Sequence, residues 1–447
     1  MKKTSNSFIA IGLMLFALFF GSGNLIFPTF LGQNAGTNVI PATIGFLITG
    51  CGLPLLAVVA VCYSGLDLQG IAAKIHPLYS IFFVMVLSLT IGPFFVIPRN
   101  CTVSFEMAVV PFLSEGTRQI ALYSYALAFF IVSWWLSITP SKLVERVGKI
   151  LTPLMLILLI ALIVSSIIHP MGALQAPTAK YAEPVQAFAS GFLEGYNTMD
   201  VIAGLCFGIL VVQSVKNYGA ETQEEVAWSA FRSGVVAMAF MALIYIFTCV
   251  IGAASVTELG MQKNGAPILV GATNYYFGAI GPVLLAVIVF LACLTTSIGL
   301  TAATAAYFHQ IFPQISARAY ATGFSIFSFG VALFGLNALI SAAIPVLVFI
   351  YPLSISLIAL TFLHKFFNDS RIVYVGTTLC MMIPSIYDGL HTAKFSFGWI
   401  DGFMASLLLA DYGLSWMIFF FIGFIGSLII SKAVEGKGSV EKTSSDL

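Results

Sequence analysis

Of 447 residues only 8% are charged and 59% are apolar, where an ordinary soluble domain carries about a quarter charged residues; a water-soluble globular fold is excluded. The formal net charge is +1 and no dense basic cluster occurs, so no nucleic-acid surface is expected. What remains is an all-α polytopic membrane protein whose partners are the lipid bilayer and whatever its interior binds. Nothing in the chain points to an obligatory protein partner.

Residues 4–66 contain no Asp, Glu, Lys or Arg. One spanning helix needs about 20 residues, so this run holds two. Lys2 and Lys3 ahead of an apolar stretch look like the start of a signal peptide, but no small-x-small cleavage pattern interrupts the run before Pro28. The segment is therefore expected to be retained.

Cutting the apolar runs at charges, prolines and Gly/Asn clusters predicts twelve transmembrane segments: 8–33, 39–63, 79–110, 119–138, 148–168, 185–215, 233–256, 282–311, 319–335, 338–363, 373–388 and 413–431. With the N-terminus in the cytoplasm, all of the 19 Lys and Arg except Arg99, Arg118, Lys180, Lys263 and Lys394 fall on the inner side. The positive-inside rule then puts both termini in the cytoplasm. The expected organisation is one transmembrane domain over 1–432 and a disordered cytoplasmic tail over 433–447. Within the domain, 8–168 is a first five-helix repeat, 185–363 its inverted copy, and 373–431 two peripheral helices.

Segment one carries the strongest signal. It reads FIAIGLMLFALFFGSGNLIFPTFLGQ, with Gly21, Ser22, Gly23 and Asn24 at its centre and Pro28 beyond. In hydrocarbon every backbone N–H and C=O needs a partner, so a break at Gly21–Gly23 is tolerated only where the freed groups face protein, water or a ligand. The start of the outer half-helix offers N–H groups and a positive dipole end to a carboxylate. The end of the inner half offers carbonyls to a small hard cation. Glycines at this spacing also serve close helix packing, but Asn24 and Pro28 favour the break.

Segment six is divided likewise. Glu194 and Asp200 split it into two stretches, neither long enough to span about 30 Å, with EGYNTMD between them. Segments one and six enter from opposite faces and lie five segments apart, as two inverted five-helix repeats would place them.

In segment eight, Ala292, Thr296, Gly299, Ala303 and Ala306 form a stripe of small residues on one helical face, suited to close approach of another helix. The hydroxyls of Thr295, Thr296, Ser297, Thr301 and Thr304 are equally suited to bonding back to their own helix. In segment three, Arg99 and Glu106 lie seven residues apart and nearly on one side. They are either functional intramembrane charges or part of a structural ion pair. Asp200 can cap the second half of segment six. The histidines 76, 169, 309, 364 and 391 make no HxxxH or HExxH pattern, and the seven cysteines make no close pair. No catalytic or metal-enzyme centre is supported, and no DDxxD cluster suggests a membrane-embedded transferase.

The stretches GLMLFALFFGSGNLIFPTFLGQNAG, IGPFFVIPRNCTVSFE, EGYNTMD and LACLTTSIGLT resemble, in the same order, the bacterial branched-chain amino acid:cation symporters, the BrnQ carriers. Thr29 and the pair Asn100-Cys101 depart from the family pattern. That family is similar in architecture to the LeuT-type transporters, whose first helix carries a GxGN sequence followed by FP. The resemblance implies that Gly21, Ser22 and Gly23 present N–H groups to the substrate carboxylate with Asn24 beside it. Gly195, Tyr196 and Asn197 would face the same site from the second break. It further implies a sodium site made by the carbonyls of Ala17 and Phe20 with Ala292, Thr295 and Thr296. Tyr196, Phe105 and Phe207 would receive the branched side chain.

The resulting expectation is a twelve-helix LeuT-type carrier in the bacterial cytoplasmic membrane, not an enzyme, importing leucine, isoleucine and valine. It needs no cofactor beyond a coupling ion, Na+, with H+ as the alternative carried by Glu106, Glu194 or Asp200. A channel, a more distant alternative, would show a filter or charged ring instead.

Overall fold

A computed structural model describes residues 7–138 and 156–444, and among these no residue lies in a strand. Eight stretches are long and apolar enough, by length and composition, to cross a membrane. Residues 148–155 of predicted segment five lie outside the described residues; its remainder is the helix Leu156–Ile168.

Helix one is two helices, Ser7–Phe19 and Gly23–Ala35. Helix six is Pro184–Glu194, a 3-10 turn Gly195–Thr198, and Asp200–Asn217. Helix seven, Gln223–Ala254, begins with a capping box between Thr222 and Glu225, which satisfies its first free N–H groups. Helices eight, Ile280–Ile311, and ten, Leu336–Leu363, run unbroken.

Helix three is interrupted as well. Pro77–Leu89 leads into a wide turn, Thr90–Phe94, where Gly92 leaves helical geometry (φ −95°, ψ −121°) ahead of Pro93, and Val96–Ala108 follows. Proline removes a donor and clashes with the preceding turn, so the helix breaks here. The hydroxyl of Ser328 on helix nine, Ala317–Ala332, donates to the Pro93 carbonyl at 3.0 Å.

Close helix approach fixes the two broken helices. The half Gly23–Ala35 of helix one lies backbone to backbone on helix seven: a Cβ on Gly32 would strike the Cys249 carbonyl, and one on Gly252 the Thr29 carbonyl. Helix six packs in the same manner on helix two, with Gly191 against Ala42 and Gly45 against Phe188. The packing is reciprocal: one on seven, six on two. Helix two, Val39–Leu47 and Leu53–Ser64, widens into a π-turn at Ile48–Gly52. There Thr49 donates its hydroxyl to the Phe192 carbonyl at 2.7 Å, satisfying an acceptor near the end of Pro184–Glu194 that its own helix leaves unpaired.

Two expectations need correction. A 13-residue helix, Gly265–Phe277, stands between segments seven and eight, too short to span and so invisible to a length criterion. It seats Gly265 directly on the Ile26 backbone. The last helix, Trp416–Ser444, continues through most of the stretch expected as a disordered tail; no proline occurs in 432–444 to stop it.

Gly32→Ala is expected to lower stability by about 1–3 kcal/mol, the usual cost of overpacking. Gly330→Ala on helix nine, where a Cβ meets nothing within 4 Å, is expected to leave it unchanged or slightly raised. Melting temperatures of the two variants in one detergent check the contrast.

Candidate functional site: a junction of two interrupted helices

The break in helix one is organised by Asn24. Its side-chain oxygen accepts from the Gly21 N–H at 2.8 Å, reaching back three residues as the third residue of a capping box does. That N–H would otherwise close the last helical turn onto Ala17, and with it diverted the Ala17 carbonyl loses its helical donor. The N–H groups of Ser22 and Gly23 find no protein acceptor among the described residues. Ala17 is exposed, while Phe20, Ser22 and Asn24 are buried.

Asn24 also ties the breaks together. Its amide donates to Asp200 Oδ2 at 2.7 Å and to the Tyr245 hydroxyl at 2.5 Å, and that hydroxyl donates to Asp200 Oδ2 at 3.1 Å. Asp200 is the first residue of the inner half of helix six, behind Met199 in the left-handed region (φ 64°). Such a conformation is costly for a side chain with a Cβ and persists where its surroundings hold it. The Asp200 carboxylate is not spent on capping its own helix. It faces helices one and seven instead.

A second chain of bonds runs to helices three and eight. Ser22 Oγ donates to Asn100 Oδ1 at 2.6 Å, and Asn100 Nδ2 donates to Ser297 Oγ at 3.3 Å. Arg99, 5% exposed, donates from Nη1 to the Asn197 carbonyl at 2.6 Å, and its Cζ lies 5.2 Å from the centre of the Phe27 ring, a cation–π distance. Tyr196 stacks on Tyr351 of helix ten, centroids 4.1 Å apart.

Among the expected acids, Glu106 pairs with Arg118 at 2.6 Å. Seven helical residues are about 10 Å of rise, so Arg99 reaches the junction while Glu106 stays near the outer end. Glu194 accepts from Lys180 at 3.0 Å and from Asn197 Nδ2 at 2.8 Å. Outside the junction a cavity of about 220 Å³ is lined by Phe27, Glu194, Asn197, Lys263, Asn264 and Asn337, among others.

On helix eight the Thr295 hydroxyl donates to the Leu291 and Ala292 carbonyls, both at 3.0 Å. Ala292 and Thr296 are half-buried, and Gly299, Ala303 and Ala306 are exposed. The stripe is thus partly covered at one end and open at the other. Phe105 is buried against Tyr125, Phe207 is half-buried, and no ring contact joins either to Tyr196. Sequence reasoning missed Tyr245, Asn100 as a bridge, and Phe27. Tyr245 lies 221 residues from Asn24, on an apolar helix that gives no local sign of a polar partner.

A profile described as "Branched-chain amino acid transport protein" matches residues 4–434. The chain belongs to this family. It is 44% identical over 433 residues to the branched-chain amino acid permease BrnQ of Bacillus subtilis (strain 168), covering 96% of this chain and 98% of that one. It is 38% identical over 410 residues to the branched-chain amino acid transport system 2 carrier protein of Pseudomonas aeruginosa, covering 92% of each. This family and these relatives are transporters, not enzymes. Among solved structures, MhsT in complex with L-phenylalanine superposes with a TM-score of 0.57 at 18% identity, over 96% of this chain and 98% of that one. Inward-facing Mhp1 gives 0.61 at 12% identity, over 96% and 91%. The fold of this family member is accordingly the LeuT type.

Tyr245→Phe removes one donor to Asp200 and is expected to cost about 1–2 kcal/mol of stability. Asn24→Ala, which strips bonds from Gly21, Asp200 and Tyr245 together, is expected to cost more. A double-mutant cycle on unfolding in detergent is expected to give a coupling of about 0.5–3 kcal/mol; additive effects would contradict the network.

Proposed function

We propose that the protein imports leucine, isoleucine and valine by symport with a cation, Na+. The observation that carries this reading is the first break, where the Ser22 and Gly23 N–H groups lack acceptors one turn beyond a Ala17 carbonyl that has lost its helical donor. An anion and a cation are thus invited to opposite ends of one interruption. The names of the relatives, branched-chain amino acid permeases and carriers, support the substrate class.

In this reading the substrate carboxylate meets Gly21, Ser22 and Gly23 beside Asn24, and Gly195, Tyr196 and Asn197 bound the site from helix six. Because the Gly21 N–H is held by Asn24, the backbone donors left for the carboxylate are those of Ser22 and Gly23. Na+ binds between the Ala17 and Phe20 carbonyls and Ala292, Thr295 and Thr296 of helix eight. The exposure of Ala17 and of the face around Gly299 suits a cation site opened toward water. Its closure draws the inner half of helix one onto helix eight and orders the break for substrate, so each ligand raises the affinity for the other.

The proposed architecture is twelve transmembrane helices over 1–432: a repeat over 8–168, an inverted repeat over 185–363, and two peripheral helices over 373–431. The reciprocal packing of helix one on seven and helix six on two supports the inverted exchange. The protein sits in the bacterial cytoplasmic membrane with both termini inside. A proton-coupled carrier is the second reading, favoured by one observation: Asp200 is buried at the junction and accepts only neutral donors, Asn24 and Tyr245.

In proteoliposomes, labelled leucine uptake is expected to require an inward sodium gradient and to be blocked by isoleucine and valine but not by alanine or lysine. Thr296→Ala is expected to raise the sodium needed for half-maximal uptake about tenfold, or about 1.4 kcal/mol. Uptake indifferent to choline replacement but abolished with the pH gradient would transfer the coupling to Asp200.

A further inference from the structure

Arg99 is not explained by packing. Its guanidinium carries five N–H donors and no acceptor, yet it makes one hydrogen bond, from Nη1 to the Asn197 carbonyl. Its Nε is buried with no partner, and it forms no ion pair with any described Asp or Glu. The Asp200 carboxylate of the same junction acts on it through space but does not touch it, so most of its donors stay unused and open to a further anion.

The surroundings say where that anion goes. The guanidinium lies across the start of Gly23–Ala35: a Cβ built on Gly23 would come within 2.8 Å of Arg99 Nη2. The same start of helix carries the unpaired N–H groups of Ser22 and Gly23. Phe27, one turn further along that helix, covers the guanidinium with its ring. Two independent features therefore converge: the free backbone donors that make the positive end of a 13-residue half-helix, and a nine-tenths-buried guanidinium with an unused Nε.

We propose that Arg99 is the side chain that binds the substrate's α-carboxylate, and that the Asn197 carbonyl is the resting acceptor the carboxylate displaces. Resting on the amino-acid transport reading above, this adds a charged, two-point recognition to the backbone donors of the break. The planar fork of the guanidinium gives two parallel charge-assisted bonds to a carboxylate. The Asn197 carbonyl takes only one N–H of the guanidinium. Release of Asn197, on the 3-10 turn between the halves of helix six, then reports substrate arrival to the second break. Phe27 and Asn197, both in contact with the guanidinium, line the neighbouring cavity.

The test compares leucine with leucinamide, which keeps the side chain and ammonium but lacks the carboxylate, on full-length protein in nanodiscs. Affinities are read from the ligand-dependent rise in melting temperature. Wild type is expected to bind leucine at least a hundredfold more tightly than leucinamide. In Arg99→Gln the leucine affinity is expected to fall most of the way to that of leucinamide, whose own affinity stays unchanged. Arg99→Lys, which keeps the charge but loses the fork, is expected to lie between, at least tenfold weaker for leucine than wild type; it decides the matter if Arg99→Gln does not fold. Wild-type discrimination persisting in either variant overturns the assignment of Arg99 and leaves the transport reading standing. Failure of wild type to bind leucine at all removes that reading and this inference with it.

Discussion

In a hydrocarbon environment a helix that stops must hand its free N–H and C=O groups to something else, and the structure depends on how this is done at Gly21–Asn24. One side chain, Asn24, carries most of the load. Its oxygen takes the Gly21 N–H and its amide reaches Asp200 and Tyr245, so a single residue caps one broken helix and anchors the other. The groups left over, the Ser22 and Gly23 N–H and the Ala17 carbonyl, are those the proposed ligands would take. Strain at Met199 and the unused donor of Arg99 gather at the same junction. Cost concentrated at one locus is the usual mark of function in a membrane interior.

The packing around the junction explains why the breaks can sit in otherwise rigid surroundings. Glycines at 32, 252, 191 and 45 let helices one and six approach helices seven and two to backbone contact, which fixes the outer half of each as a block. The half Ser7–Phe19 also lies against helix seven, with Gly12 close to the Ser233 carbonyl, but it is less covered: Leu13, Met14 and Ala17 are exposed. A hinge at Gly21 between a fixed outer half and a less covered inner half is what a two-state carrier needs, and the proposed cation site lies across it.

The break at GSGN was legible because Gly, Ser, Asn and a following proline oppose an apolar helix on their own, and EGYNTMD was legible for the same reason. The interruption at Gly92–Pro93 had the same signal but lay inside a run long enough to read as one helix. The helix Gly265–Phe277 was too short for any length criterion. Long-range pairing was not legible: Glu106 and Arg99 share a side of helix three, yet differ in height by more than a side chain can cross, so Glu106 pairs with Arg118. Tyr245 joins Asn24 and Asp200 only because helices one, six and seven meet, a fact of topology that no local pattern carries. The small-residue stripe on helix eight allowed packing or a ligand face; it is half-buried at Ala292 and Thr296 and exposed at Gly299, Ala303 and Ala306.

The central claim is that the interruption of helix one is a binding site for the substrate's carboxylate. A cryo-EM structure of the protein in nanodiscs with leucine and sodium, resolved well enough to orient the ligand, tests it most directly. The account predicts the carboxylate within hydrogen-bond distance of the Ser22 and Gly23 N–H groups, with the leucine side chain turned away from them. Leucine bound elsewhere, or a first helix continuous through Gly21–Gly23, would contradict it.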